Sequence, residues 1–196
     1  MPHKPRYQQA GFEKPAARLD TFKNKTMQDK ILFHEKQKFT QWWLWVILLG
    51  VGFIFVGTFL MQIIGGTPLG DNPLSNEGYV IGLFIMAFFL AFFYYVELET
   101  IIKPSGIYVR FFPFHLSFKH YPWGSIRKCY VKQYSPIGDF GGWGVRISLF
   151  GKGTAYNVDG DYGLQIEFLT PKKLLIGTQK PQELTEALDL ANLTKL

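Results

Sequence analysis

The chain has 196 residues, a formal net charge of +6, 47% hydrophobic and 17% aromatic residues, and one cysteine. That length fits one ordinary domain with appendages, and a lone thiol excludes an internal disulfide framework. The basic balance points to nucleic acid or to an anionic membrane face, and the position of the charges decides between them.

Residues 1–28 are polar, carry Pro2, Pro5 and Pro15, and show no hydrophobic period, which predicts a mobile basic tail. The pattern changes at DKILFHEKQKFTQWW. Residues 29–41 are expected to form an amphipathic helix along the membrane surface, capped by Asp29. The alternative is a plain basic flank of a membrane helix. In either case Lys30, Lys36 and Lys38 are attracted to anionic headgroups by about 1 kcal/mol each.

Two uncharged runs follow, Trp42 to Ile64 and Tyr79 to Val96. About 20 residues cross the hydrocarbon core as a helix, and neither run has the polar face of a soluble-protein helix. Together they predict a transmembrane hairpin over residues 42–96. Trp42, Trp43 and Trp45 at its start, Tyr79 at the second opening, and Tyr94 and Tyr95 at its close match an interfacial aromatic belt. The connecting loop holds Asp71 and Glu77 but no Lys or Arg, whereas lysines precede the first span. This asymmetry predicts a multi-pass protein of the plasma (inner) membrane with both termini cytoplasmic. The sequons Asn24-Lys25-Thr26 and Asn192-Leu193-Thr194 then lie on the unglycosylated side. Ala87 and Ala91 form a small-residue pair that reads either as a helix-packing site or as composition alone. The absence of ionisable residues within the spans indicates an anchor, not a transport path.

After Val96 the pattern becomes β. ELETIIK, GIYVRFF, LSFKHY, IRKCYVKQY, GVRISLF, TAYNV, LQIEFL and KLLIGT are short, β-branched or aromatic, and separated by turn residues. Lys103-Pro104-Ser105-Gly106, Gly151-Lys152-Gly153, Asp159-Gly160 and Thr170-Pro171-Lys172-Lys173 are predicted to close hairpins. PQELTEALDLANL has Leu184, Leu188 and Ala191 at helical spacing, with Pro181 in the first turn. Residues 97–196 thus read as a meander of seven or eight antiparallel strands closed by one helix.

The stretches KPSGIYVRFFPF, YPWGSIRKCYV, GKGTAYNVDGDYGLQIEF and KKLLIGTQKPQEL resemble the bacterial PH-like (pleckstrin-homology-like) membrane proteins of uncharacterised function. ILFHEKQKFTQWWLW, leading into a membrane hairpin, is similar to the same group. The resemblance spans roughly Ile31 to Leu193. Its most specific pieces are the turn with Pro122, Trp123 and Ile126 and the junction from Ile176 to Pro181. It implies a fold class of membrane α plus α+β: a two-helix transmembrane hairpin, then a cytoplasmic PH-like antiparallel barrel or sandwich with a C-terminal capping helix. It implies no reaction, so no catalytic residue is carried over.

GDFGGWGVR, residues 138–146, tests the enzyme reading. Asp139-Phe140-Gly141 matches a kinase metal triplet, but the Gly-rich loop, strand lysine and catalytic loop of a kinase are missing. In GKGT, Gly153 and not Ser or Thr follows Lys152, so no phosphate loop is formed. GGWG lacks a third glycine and a surrounding βαβ unit. NVDGDYG spaces Asn157, Asp159 and Asp161 like a calcium loop, but Tyr162 and Phe168 stand where glycine and glutamate belong. His115 and His120 fall on opposite faces of a strand, and Cys129 reads as a small core residue. No catalytic residue, metal or cofactor is expected.

In a meander leaving the membrane, alternate connections return to it. That places FFPFH and SPIGDFGGW near the bilayer, with Phe111, Phe112, Phe114, Phe140 and Trp143 as membrane-proximal contacts; filling the barrel core is the competing role for these rings. The first hairpin, with Lys103 and Arg110, lies about 20 Å from the membrane along a six-residue strand, which disfavours headgroup binding there. Residues 97–196 are only slightly basic, so no nucleic acid is expected. The expected function is a non-catalytic, membrane-tethered module. Its partners are the lipid bilayer and either a membrane or cytoplasmic protein or a second copy. The alternatives are an accessory subunit of a transport or envelope-stress system, or an enzyme with an unrecognised site.

Overall fold

A computed structural model describes residues 30–66, 74–148 and 151–193. The predicted tail over 1–28 with its sequon, the cap at Asp29, the loop residue Asp71 and Thr194 of the second sequon lie outside these residues. Two long helices occupy the apolar runs: α1 (Trp42–Ile63) and α2 (Asn76–Tyr95). At 1.5 Å per residue they are about 33 Å and about 30 Å long, enough to cross a bilayer. Ser75 caps α2, its hydroxyl accepting from the Gly78 N–H at 3.1 Å. The two helices meet where one of them is small. A Cβ on Gly82 would run into the Phe55 ring, and Gly52 lies against Met86. Ala87 and Ala91 point outward instead.

The rest of the chain builds two sheets. In the first, β1 (Phe33–Lys38), β2 (Glu97–Lys103), β3 (Gly106–Phe112) and β4 (Lys119–Pro122) lie in chain order, all antiparallel. The second contains β5 (Ile126–Gln133), β6 (Gly144–Ile147), β7 (Thr154–Asn157), β8 (Tyr162–Phe168) and β9 (Lys173–Thr178), in the order β5-β8-β9-β7-β6. A short helix, α3 (Pro136–Phe140), precedes β6, and α4 (Pro181–Leu193) follows β9. Leu98 and Ile102 on β2 and Ile107, Val109 and Phe111 on β3 alternate inward to meet Leu164, Ile166, Leu174 and Ile176 of the other sheet. Leu184, Ala187, Leu188 and Ala191 of α4 complete the core, so the amphipathic face predicted for this helix is the one that is buried.

Two sequence expectations are corrected here. The segment 29–41 contains strand β1, not a surface helix. Its inward residues Phe33, Glu35 and Gln37 are buried, and it pairs with β2 from Phe33↔Ile102 to Lys38↔Glu97. Backbone bonding to β2 outweighs the weak helical pattern of this stretch. Nor are the sheets a pure antiparallel meander. β9 lies between β8 and β7 and runs parallel to β7. The Asp159-Gly160 turn therefore crosses over β9 and does not close a hairpin between paired strands. GVRISLF supplies β6, paired antiparallel with β7, as its pattern predicts.

Four polar contacts fasten β1 and the start of α1 to the second sheet. Glu35 accepts from the Thr178 hydroxyl at 2.7 Å and from the Gln179 N–H at 2.8 Å. Gln37 donates to the Gly177 carbonyl at 2.8 Å, and Gln41 to the Val158 carbonyl at 2.6 Å. Thr178 also accepts from the Lys180 N–H at 3.0 Å, so the same chain of bonds sets the start of α4.

Candidate functional site

The site grows from one topological fact. β1 runs into α1 through residues 39–41, and α2 runs into β2 through Val96 alone. Because Lys38 pairs with Glu97, the inner ends of both helices stand side by side on one end of the first sheet. Aromatic rings fill the angle between them. Phe39 meets Phe93 edge-on at 5.5 Å, Phe92 meets Phe114 at 6.1 Å, and Phe114 stacks on Phe111 at 5.5 Å. Trp45 donates its indole N–H to the Phe39 carbonyl at 2.9 Å. The Phe39, Phe92, Phe93, Phe111 and Phe114 rings, with Val96, Gly144, Val145 and Arg146, line a cavity of about 280 Å³.

The last wall is Trp143, and the GDFGGWGVR stretch explains how it gets there. Ser135 accepts from the Gly138 N–H at 3.1 Å, and Pro136 opens α3. Gly141, at φ 73°, ends α3 in the left-handed region, where its own N–H and that of Gly142 bond back to Ile137 and Pro136. The chain then turns Trp143 towards α1, where its ring lies 6.2 Å from that of Trp43. Arg146 donates from Nε to the Trp143 carbonyl at 2.9 Å. The Trp143 Nε1 is shielded from solvent and has no acceptor among the described residues. Asp139 is spent locally, on the Ser135 N–H at 3.0 Å and on Lys152. The Lys152 hydrogen bond, then the backbone bond, hold its carboxyl below the usual range. The triplet is a capping device.

The outer face of the first sheet carries a charge row beside this cavity. Lys36, Glu99 and Arg110 are directly opposite one another on β1, β2 and β3. Arg110 donates to Glu99 at 2.6 Å, His34 at 2.9 Å, and Lys36 lies at 3.5 Å. Burial alone would raise the Glu99 pKa, but the His34 and Arg110 hydrogen bonds, aided by the charges of Lys36 and Arg110, hold it below its ordinary value. A carboxyl depressed on folding stabilises the fold above its unfolded pKa and loses that contribution as pH falls through the folded pKa. The urea midpoint of the wild type should therefore drop on acidification below about pH 4.5. Glu99→Gln should start lower at pH 7 and show a flatter acid limb; equal slopes in both proteins would rule out this coupling.

Titratable side chains gather at one further place. Lys119 donates to the Tyr156 hydroxyl at 3.3 Å, and His115 meets the Tyr156 ring edge-on at 5.0 Å. Burial, then the charge of Lys119, push the His115 pKa down. Burial, followed by Tyr156, pushes the Tyr121 phenol up to about 12. On the other side, burial likewise raises Tyr134 to about 12, and its hydroxyl accepts from Asn157 at 3.0 Å. The His115 Nδ1 accepts from the Phe111 N–H at 3.4 Å. Among the described residues, no three His, Cys, Asp or Glu side chains are grouped to hold a metal ion.

Of the predicted interfacial residues, Trp42 and Trp43 are exposed at the start of α1. Tyr94 and Tyr95 are exposed at the end of α2, their rings 5.1 Å apart. Tyr79 lies in the first turn of α2, which begins three residues earlier than predicted, and faces α1. It is 5% exposed and packs 6.2 Å from both Phe55 and Phe59. Phe111 and Phe140 take the competing core role, since both are buried. Phe111 is on the inward phase of β3, and Phe140 packs with Tyr134, Ala155 and Leu175. Phe112 and Phe114 remain exposed beside α2. With Pro113, Phe112 flanks an all-carbon recess against Phe88, Ala91, Phe92 and Tyr95. Lys30 is exposed. Lys36 and Lys38 are exposed too, but face Glu97 and Glu99, which offsets part of the charge assigned to headgroups.

Glu35, Gln37 and Gln41 were not legible as fold-fastening residues, nor Phe39, Phe92 and Phe93 as cavity walls. Their partners lie far along the chain, and only the alternation FHEKQK hinted at a strand. No protein-family model, curated protein or solved structure matches this chain.

Proposed function

We propose that the chain is a membrane-tethered, non-catalytic PH-like module that holds an interaction surface close to the inner face of a membrane. The observation that carries this reading is the mounting of the helices. All of α1 is unburied, and α2 buries only Tyr79, so neither is the core helix of a soluble domain. Both rise from paired strands of one sheet, which supports a hairpin with its two ends on the same side of the bilayer. The lysines before α1 and the lack of Lys or Arg in the connecting loop favour the cytoplasmic side. Two facing sheets closed by a C-terminal helix support the PH-like reading. The departure is that the first strand precedes the membrane hairpin.

The surface best suited to a partner protein is the β6 edge. β6 is the outermost strand of the second sheet, and Ile137 and Ile147 stand exposed beside it around a recess of about 480 Å³. An unpaired strand edge with apolar side chains suits an added strand. The outward-facing Ala87 and Ala91 favour a second reading, in which α2 docks on a larger membrane protein as an accessory subunit. A photo-cross-linking residue in place of Ile147, used in native membranes, should trap a protein or a second copy. An adduct from Ala91 instead would favour the accessory reading, and no adduct at either position would overturn both. Release of the chain from membranes by alkaline carbonate would overturn the tether itself.

A further inference from the structure

We infer that the aromatic cavity between the helix ends and β6 binds the phosphate–glycerol region of a membrane phospholipid. This inference rests on the membrane-tethered reading. Three observations converge on an amphipathic occupant. The floor is aromatic carbon from Phe39, Phe92, Phe93 and Phe114, next to helices that carry no charged residue over Trp42–Ile63 and from Tyr79 to Tyr95. The Trp143 Nε1–H has no acceptor among the described residues and is shielded from water, and a buried donor left unpaired favours a ligand that brings an acceptor. The guanidinium of Arg146 is held at the same wall by its bond to the Trp143 carbonyl, and it makes no ion pair among the described residues.

The chemistry of the occupant follows. A phosphodiester or ester oxygen supplies the acceptor that Trp143 lacks and the negative charge that Arg146 lacks. The volume of about 280 Å³ suits a glycerol-phosphate unit but not a whole lipid. The acyl chains therefore leave along α1 and α2, where hydrocarbon already surrounds them. The site lies at the end of the sandwich opposite the β2–β3 hairpin, with its Lys103, so it is separate from any headgroup contact there.

The test uses the full chain, purified in mild detergent with added phosphatidylglycerol, and native mass spectrometry to read retained lipid. Wild type and Lys103→Gln should hold one lipid. Arg146→Gln and Trp143→Phe should each retain about tenfold less, the expected loss of one charge-assisted or buried hydrogen bond. Arg146 is exposed, so its variant keeps the test valid if Trp143→Phe fails to fold. Retention unchanged in Arg146→Gln, or lost equally in Lys103→Gln, would overturn the site. Glycerol 3-phosphate should not displace the lipid; displacement would assign the site to a soluble phosphate ester instead. Carbonate extraction of the same proteins separates the two readings: a chain that stays in the membrane yet retains no lipid loses only this inference.

Discussion

Phe111→Ala should remove about 3–5 kcal/mol of stability, whereas Phe112→Ala should change it by less than about 1 kcal/mol. The two rings are neighbours on β3 but point to opposite faces. Phe111 is fully buried, stacked on Phe114 and 6.3 Å from Tyr156, in a core shared by both sheets. Truncating it leaves a cavity that the surrounding strands cannot close, because close-packed interiors relax only partly. Phe112 lies outside, beside Pro113 and the end of α2, and loses little packing on truncation. Urea unfolding of the full chain in detergent, followed by tryptophan fluorescence, measures both. A domain of this size has about 5–15 kcal/mol in total, so the first variant should be conspicuously fragile. Equal, small losses in the two variants would mean that Phe111 is an interfacial residue after all.

Glu35→Ala should cost about 2–5 kcal/mol and selectively loosen β1. The substitution strands two donors, the Thr178 hydroxyl and the Gln179 N–H, and an unsatisfied buried donor costs about 1–3 kcal/mol. It also breaks the chain of bonds through Thr178 to the Lys180 N–H at the start of α4. Hydrogen exchange should therefore quicken in residues 33–38 and in the first turn of α4, while β8, which pairs on both sides, keeps its protection. Glu35→Gln preserves one acceptor and should lose less than Glu35→Ala. Uniformly faster exchange across both sheets would show that Glu35 supports the whole fold and does not latch one strand. The distinction bears on function, since β1 is one of the two strands that carry the membrane-length hairpin.

Local pattern was enough to read most elements. The apolar runs became α1 and α2 with ends shifted by at most three residues. Each predicted strand after Val96 is present, and the C-terminal helix buries Leu184, Leu188 and Ala191 as its spacing demands. These signals sit within a few residues of one another: an unbroken apolar stretch, alternation, or a turn residue between two runs. β1 escaped because its inward residues include Glu35 and Gln37, which suit a buried face only when Thr178, Gln179 and Gly177 stand opposite. The candidate site was half legible for the same reason. The rings near the membrane could be named, but whether Phe111 and Phe140 faced core or lipid depended on their partners.

Segment identity was thus readable from the chain alone: two uncharged membrane-length runs, seven or eight strands after them, and a closing amphipathic helix. What each segment faces emerged only from its packing against the others. That packing made 33–38 a strand by pairing it with β2, placed β9 parallel to β7, and brought Trp143, Arg146 and the helix ends around one cavity. The reason is physical. Periodicity is a short-range property of the chain, whereas burial, register and hydrogen-bond satisfaction belong to pairs of residues up to more than a hundred positions apart, such as Glu35 with Thr178.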